Sequence, residues 1–127
     1  MIKILVVEDD GNLNSSVCKH LSSHNYQVKG CLDAMSALDI LSAEKYDLII
    51  SDIMMPKIDG FEFAKSIREF DKEIPILFMT ARDDFTSKEK GYRIGIDEYM
   101  TKPIDLDELI LRISALLRRA KIAANKS

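Results

Sequence analysis

The chain has 127 residues, a length that fits one domain and allows a continuous apolar core. Its 46% hydrophobic content excludes a disordered class, and a formal net charge of -3, from 18 basic and 21 acidic residues, gives no basis for bulk electrostatic binding to nucleic acid or to an anionic membrane. No apolar stretch reaches the ~18 residues of a membrane span, and the N-terminus enters a strand at once instead of reading as a signal peptide.

Ile2 to Val7 is a near-continuous apolar run, as expected of a strand covered on both faces. It ends in Glu8-Asp9-Asp10. Gly11 to His24 follows as a helix, with Leu13, Val17 and Leu21 repeating every four residues along one face. Tyr26 to Leu32 suits a shorter, more polar strand at the sheet edge. Asp33 is placed to cap the next helix, whose buried face carries Ala34, Ala37, Leu38 and Leu41. Tyr46 to Ser51 predicts a central strand that delivers Asp52 into a loop with Met54-Met55-Pro56 and Gly60. A helix with Phe61, Ala64 and Ile67 comes next, then a strand from Ile76 to Met79 that runs into Thr80. The segment from about Asp84 to Ile94 reads as a helix so polar (Thr86, Ser87, Lys88, Glu89, Lys90) that its inward face is thin. It should be among the less rigid elements. Asp97 to Met100 is a last short strand leading to Thr101-Lys102-Pro103. Leu106 to Ala120 is an amphipathic helix through Leu109, Ile110, Ile113, Leu116 and Leu117. Residues 121–127 lack a sustained apolar pattern and read as a C-terminal end or the start of a linker, leaving 1–120 as the domain. Alternating strands and helices predict a doubly wound α/β fold, with a parallel sheet covered by helices on both faces.

In such sheets ligands bind beyond the carboxyl ends of the strands. If the strands are parallel, Glu8, Asp9, Asp52, Thr80 and Lys102 converge at one edge. Three neighbouring carboxylates repel unless a cation joins them, and Mg²⁺ is the natural choice because it takes carboxylate, carbonyl and water oxygens. Asp9 and Asp52 are the direct ligands expected, with Glu8 direct or through water and the backbone carbonyl of Met54 completing the protein share. Asp52 is then the candidate nucleophile of a Mg²⁺-dependent phosphorylation site. Oxygens of a phosphoryl group on Asp52 need neutralising by Mg²⁺, by Lys102, and by the Thr80 hydroxyl with nearby backbone N–H groups. The competing bland reading makes the acids helix caps and Lys102 a surface charge. His20 and His24 stand at zinc-ligand spacing, but no third ligand is evident and a solvated helix face is the better reading. Cys18 and Cys31 form neither a zinc pattern nor a C-x-x-C pair and read as packed, reduced thiols of a cytoplasmic protein. The six methionines read as core and loop filling.

The ordered set Glu8-Asp9, Asp52, Thr80-Ala81 and Lys102-Pro103 resembles the receiver domain of a two-component response regulator, over essentially the whole chain. The resemblance implies the flavodoxin-like strand order 2-1-3-4-5. It implies that a sensor histidine kinase supplies a phosphoryl group to Asp52 and that Mg²⁺ is required. It also implies a switch in which Thr80 moves toward the phosphoryl group and Tyr99 rotates inward behind it. The stretches 90–99 and 109–119 resemble the OmpR/PhoB subfamily of transcription regulators, with departures at Arg93, Ile96 and Ile104. In that subfamily the fourth helix, fifth strand and fifth helix form a symmetric dimer face on activation. By position, Lys90 with Glu108 and Glu98 with Arg112 are the expected intermolecular pairs. Members carry a winged-helix DNA-binding domain after the receiver. No such domain lies in these residues, so DNA would be reached only through a further domain, and a stand-alone receiver acting by protein docking is the alternative.

An aspartate-nucleophile phosphatase would share Mg²⁺ and the aspartyl phosphate, but needs a second Asp two residues after the nucleophile. Met54 stands there. A flavodoxin-like nucleotide or flavin binder would need a Gly-rich phosphate loop after the first strand, which is lacking. The expectation is therefore a signalling module that catalyses only its own phosphotransfer and dephosphorylation.

Overall fold

The structure is a computed structural model that describes residues 1–126. Five strands, β1 (Lys3–Val7), β2 (Gln27–Cys31), β3 (Leu48–Ser51), β4 (Ile76–Thr80) and β5 (Glu98–Thr101), alternate with five helices, α1 (Gly11–Ser23), α2 (Ala34–Ala43), α3 (Gly60–Phe70), α4 (Phe85–Ile94) and α5 (Leu106–Lys126). All strands pair in parallel, in the order β2-β1-β3-β4-β5. The doubly wound sheet read from the sequence is what forms. Its two-residue period splits the apolar side chains into two cores. Leu5, Val7, Ile49, Ile76 and Phe78 meet Ala34, Ala37, Phe63, Ala64 and Ile67 under α2, α3 and α4. Ile4, Val6, Leu48, Ile50, Leu77 and Met79 meet Val17, Leu21, Leu109, Ile113 and Leu116 under α1 and α5.

The helices start where carboxylates can bond free backbone N–H groups. Asp10 caps α1, Asp33 caps α2, Asp59 caps α3 and Asp84 caps α4. The edge position of β2 explains its polar composition. α4 is thin, as its polar sequence indicates: its buried residues are the small Ser87 and Gly91, while Phe85 is exposed. Its C-cap is Gly95 at φ 118, a left-handed conformation that favours glycine. One boundary differs from the sequence reading by more than two residues, because α5 continues beyond Ala120 to Lys126. The added residues, Lys121-Ile122-Ala123-Ala124-Asn125-Lys126, include good helix formers that lack an amphipathic pattern, so propensity carried the helix where periodicity gave no signal. Ser127, the last residue of the expected end segment, lies outside the described residues.

Register brings the strand ends level. Val7 pairs with Cys31 on one side and Ser51 on the other, and Thr80 pairs with Thr101. Glu8, Asp52 and Lys102 are each the next residue after such an end.

Candidate functional site

Backbone bonds join the neighbouring exits. The Asp52 N–H donates to the Val7 carbonyl at 3.1 Å, and the Lys102 N–H to the Thr80 carbonyl at 2.7 Å. The Lys102–Pro103 peptide is cis. From these positions the side chains of Glu8, Asp9 and Asp52 offer carboxylate oxygens that all lie within 4.8 Å of one another. Glu8 is fully buried, Asp52 is 3% exposed and Asp9 faces solvent.

Each oxygen of Asp52 has its own environment. Oδ1 accepts the N–H groups of Ile53 at 2.6 Å and Met54 at 3.2 Å. Oδ2 accepts from Lys102 Nζ at 2.7 Å. The same ammonium lies 2.7 Å from Glu8 Oε1. One lysine thus serves two buried acids. Burial pulls the Lys102 pKa down, but the Asp52 and Glu8 carboxylates outweigh it and the net shift is upward. Glu8 is pushed above the usual carboxylate range by burial and by the Asp52 charge, against the lowering pull of Lys102 and of the Asp10 N–H on Oε2.

The donor set suits a hard divalent cation. Three carboxylates, two of them buried, share one neighbouring ammonium, so the cluster keeps excess negative charge. Glu8 Oε1 is closed off from solvent and accepts no well-directed hydrogen bond. The cap reading of the acids fails for Glu8 and Asp9, because Asp10 is the residue that caps α1, accepting from Asn12 N–H at 3.0 Å and Leu13 N–H at 3.1 Å. Lys102 as a plain surface charge fails too.

Met54 sits in the loop after Asp52 with its side chain exposed. Gly60, at the start of α3, is required by close approach. A Cβ there would stand 2.3 Å from the Asp52 carbonyl oxygen and 2.6 Å from Ile53 Cα. Thr80 is buried at the end of β4, and its Oγ1 accepts the Arg82 N–H at 3.3 Å. Tyr99 is also buried, edge-on to Phe78 with ring centroids 6.2 Å apart, and its hydroxyl donates to the Arg82 carbonyl. Its ring is therefore already inward. The two expected switch residues meet at the backbone of one residue, Arg82.

The expected dimer-face residues separate. Glu98, Glu108 and Arg112 gather within the same chain: Arg112 reaches Glu98 Oε1 at 3.0 Å and Glu108 Oε1 at 3.0 Å. Lys90 is elsewhere. Its Nζ lies 4.5 Å from the centroid of the Phe61 ring in α3, whereas Lys88 stands over Tyr99 at 5.8 Å. Within this chain Lys90 therefore lies against α3, while its expected pairing with Glu108 is one between two copies. Two contributions escaped the sequence reading, the backbone contacts of Arg82 and the side chain of Asn14. Arg82 acts through its backbone, which any residue type supplies. Asn14 is buried beside the acidic turn, donating to the carbonyls of Glu8 and Cys31; its signal is an amide next to the apolar positions of α1.

Residues 4–114 match the family described as the response regulator receiver domain. The chain is 39% identical over 120 residues to response regulator MprA of Mycobacterium bovis (strain BCG / Pasteur 1173P2), which is 94% of this chain and 52% of that protein. The chain therefore spans about half the length of the curated relatives it matches. Among solved structures it resembles the receiver domain of the Francisella response regulator 1452, with TM-score 0.88, 31% identity and coverage of 94% of this chain and 98% of that one. It also resembles response regulator TrrA from Thermotoga maritima in complex with Mg²⁺-BeF, with TM-score 0.83, 33% identity and coverage of 91% and 99%.

Proposed function

This chain belongs to the response regulator receiver family, and from that premise we propose that Asp52 is a reversible phosphoacceptor served by a sensor histidine kinase and dependent on Mg²⁺. The observation that carries the reading is the buried Asp52 carboxylate, with Lys102 at 2.7 Å and the Glu8 and Asp9 carboxylates within 4.8 Å. The receiver family is not a family of metabolic enzymes. In the reaction proposed here, an Asp52 oxygen forms a bond to phosphorus as the bond from phosphorus to the donor's histidine nitrogen breaks.

Glu8, Asp9, Asp52 and the Met54 carbonyl would hold Mg²⁺, the ion named in the complex of the related TrrA. Bound there, the ion supplies positive charge to phosphoryl oxygens as they approach the acids. The chain's own groups do the rest. Two N–H groups on Oδ1 orient the carboxylate. Lys102 holds Oδ2 until that oxygen loses its charge to the new bond, after which the ammonium is free to pair with a phosphoryl oxygen. Thr80 turns its hydroxyl to the same group, releasing the Arg82 N–H. Tyr99 holds the Arg82 carbonyl from the other side, so the change reaches the face formed by α4, β5 and α5. Dephosphorylation is self-catalysed at the same site.

We infer that this face forms a homodimer in the phosphorylated state, with Lys90, Glu98, Glu108 and Arg112 as its charged residues. A DNA-binding domain following the receiver would deliver the output, in a regulator that works in the cytoplasm. Among the described residues no helix is long and apolar enough to cross a membrane. Acetyl phosphate with and without Mg²⁺, read by intact mass, tests the central point. One added phosphoryl group is expected, abolished by Asp52→Asn and by a chelator; unchanged labelling of Asp52→Asn refutes the assignment.

A further inference from the structure

We propose that Asn14 is a positioning residue for the acidic turn, setting the geometry in which Glu8 and Asp9 present their carboxylates to Mg²⁺. The proposal rests on the Mg²⁺ reading above. Asn14 lies on the buried face of α1 with Val17 and Leu21. A buried amide is costly there unless its donors and acceptor are satisfied. All are used. Nδ2 donates to the Glu8 carbonyl at 3.0 Å and to the Cys31 carbonyl at 2.9 Å, and Oδ1 accepts from Cys18 Sγ at 3.4 Å. Two carbonyls require donors, so the orientation of the amide is determined by its partners.

The placement follows from where the sheet stops. Val7 and Cys31 are the last paired residues of β1 and β2, and the Glu8 N–H still reaches the Cys31 carbonyl at 3.1 Å. Beyond that point no strand is left to receive the Glu8 carbonyl. Asn14 continues the ladder by one peptide, tying the start of the acidic turn to α1 and to β2. The next residues are fixed from the other side, because the Asp10 N–H donates to Glu8 Oε2 at 3.0 Å and the Asp10 side chain caps α1. The Asp9 side chain then projects from a backbone held at both ends. Gly30 leaves room for this arrangement: a Cβ there would stand 2.2 Å from Asn14 Oδ1 and 3.0 Å from Cys18 Sγ. Partners that orient ligating groups without touching the ion commonly change metal affinity by about 10–100-fold when removed.

Calorimetric titration with Mg²⁺ of the wild-type chain, Asn14→Leu, Gly30→Ala and Val17→Ala tests the assignment, with folding checked by circular dichroism in chelator. Asn14→Leu keeps the branched shape and removes the donors. Gly30→Ala keeps Asn14 and crowds its oxygen. Both are expected to weaken Mg²⁺ binding by about 10-fold or more. Val17→Ala, which removes buried volume from the same helix, is expected to lower the melting temperature with Mg²⁺ affinity unchanged. Folded Asn14→Leu that binds Mg²⁺ within twofold of wild type overturns the proposal. Should that variant not fold, unchanged affinity in Gly30→Ala overturns it. A Val17→Ala loss of affinity equal to that of Asn14→Leu also overturns it, since helix stability would then be the cause. A wild-type chain that does not bind Mg²⁺ overturns the metal reading itself, whereas normal wild-type binding with unaffected variants removes only the role of Asn14.

Discussion

The Lys102 ammonium meets the Asp52 carboxylate at 2.7 Å although the two residues are 50 positions apart in the chain. The contact closes the sheet edge, bridging from the exit of β5 across β4 to the exit of β3. Because the same ammonium also lies against Glu8, it neutralises part of the acidic cluster.

Replacing that cation has opposite effects on two measurable quantities. Lys102→Met leaves Glu8 and Asp52 without their partner, so stability in chelator should fall by on the order of 1–3 kcal/mol, measured by urea denaturation. Mg²⁺ affinity should rise, because the cluster gains a full unit of negative charge. Labelling by acetyl phosphate should slow nevertheless, since nothing replaces the lysine at the phosphoryl oxygens.

Gly60→Ala places a methyl group 2.3 Å from the Asp52 carbonyl oxygen, so either α3 or the Asp52 backbone must move. The expected cost is about 1–3 kcal/mol by denaturant titration, together with slower labelling of Asp52. A variant with wild-type stability and rate would show that α3 shifts freely there.

The two phenylalanines at either end of one contrast should behave differently. Phe63 is fully buried in α3, and Phe63→Ala should lose about 3–5 kcal/mol. Phe70, in the same helix, is 60% exposed, and Phe70→Ala should lose well under that, about 1 kcal/mol or less.

Alkaline pH should act through Tyr46. Burial, the hydrogen bond from its hydroxyl to Glu44, and the Glu44 charge push its pKa up to about 12. The fold therefore favours the protonated phenol. Its contribution to stability is complete below the ordinary phenol pKa near ~10 and is lost as pH rises toward about 12. Tyr46→Phe should show a shallower alkaline loss of stability in the same window, and its ultraviolet titration should lack the phenolate amplitude near that upper end.

The fold and the order of the site were legible because each buried strand ends abruptly in a residue that packing cannot use. Apolar runs ending at Glu8, Asp52 and Thr80 gave both the sheet and its functional edge. The direction of Lys90 was not legible. A helix burying only Ser87 and Gly91 has a weak apolar stripe, so its rotation about its own axis could not be set from periodicity. Asn14 was missed because one amide on a helix has many uses, and its two carbonyl partners come from residues 6 and 17 positions away. The Arg82 backbone contacts carry no side-chain signature at all.

The small residues under α4 have an energetic consequence. Leucine or phenylalanine anchors interlock with a sheet, and withdrawing them opens cavities; Ser87 and Gly91 leave almost no void when they slide. Couplings between sites in proteins typically amount to about 1–3 kcal/mol, too little to extract α3 with Phe61, Phe63 and Ile67 from its core. α4, which buries Ser87 and Gly91, has far less apolar bulk to withdraw. In this chain that thinly anchored helix lies directly after the strand that ends in Thr80, so under the proposed phosphorylation of Asp52 the mechanical work would fall where little has to be pulled from the core.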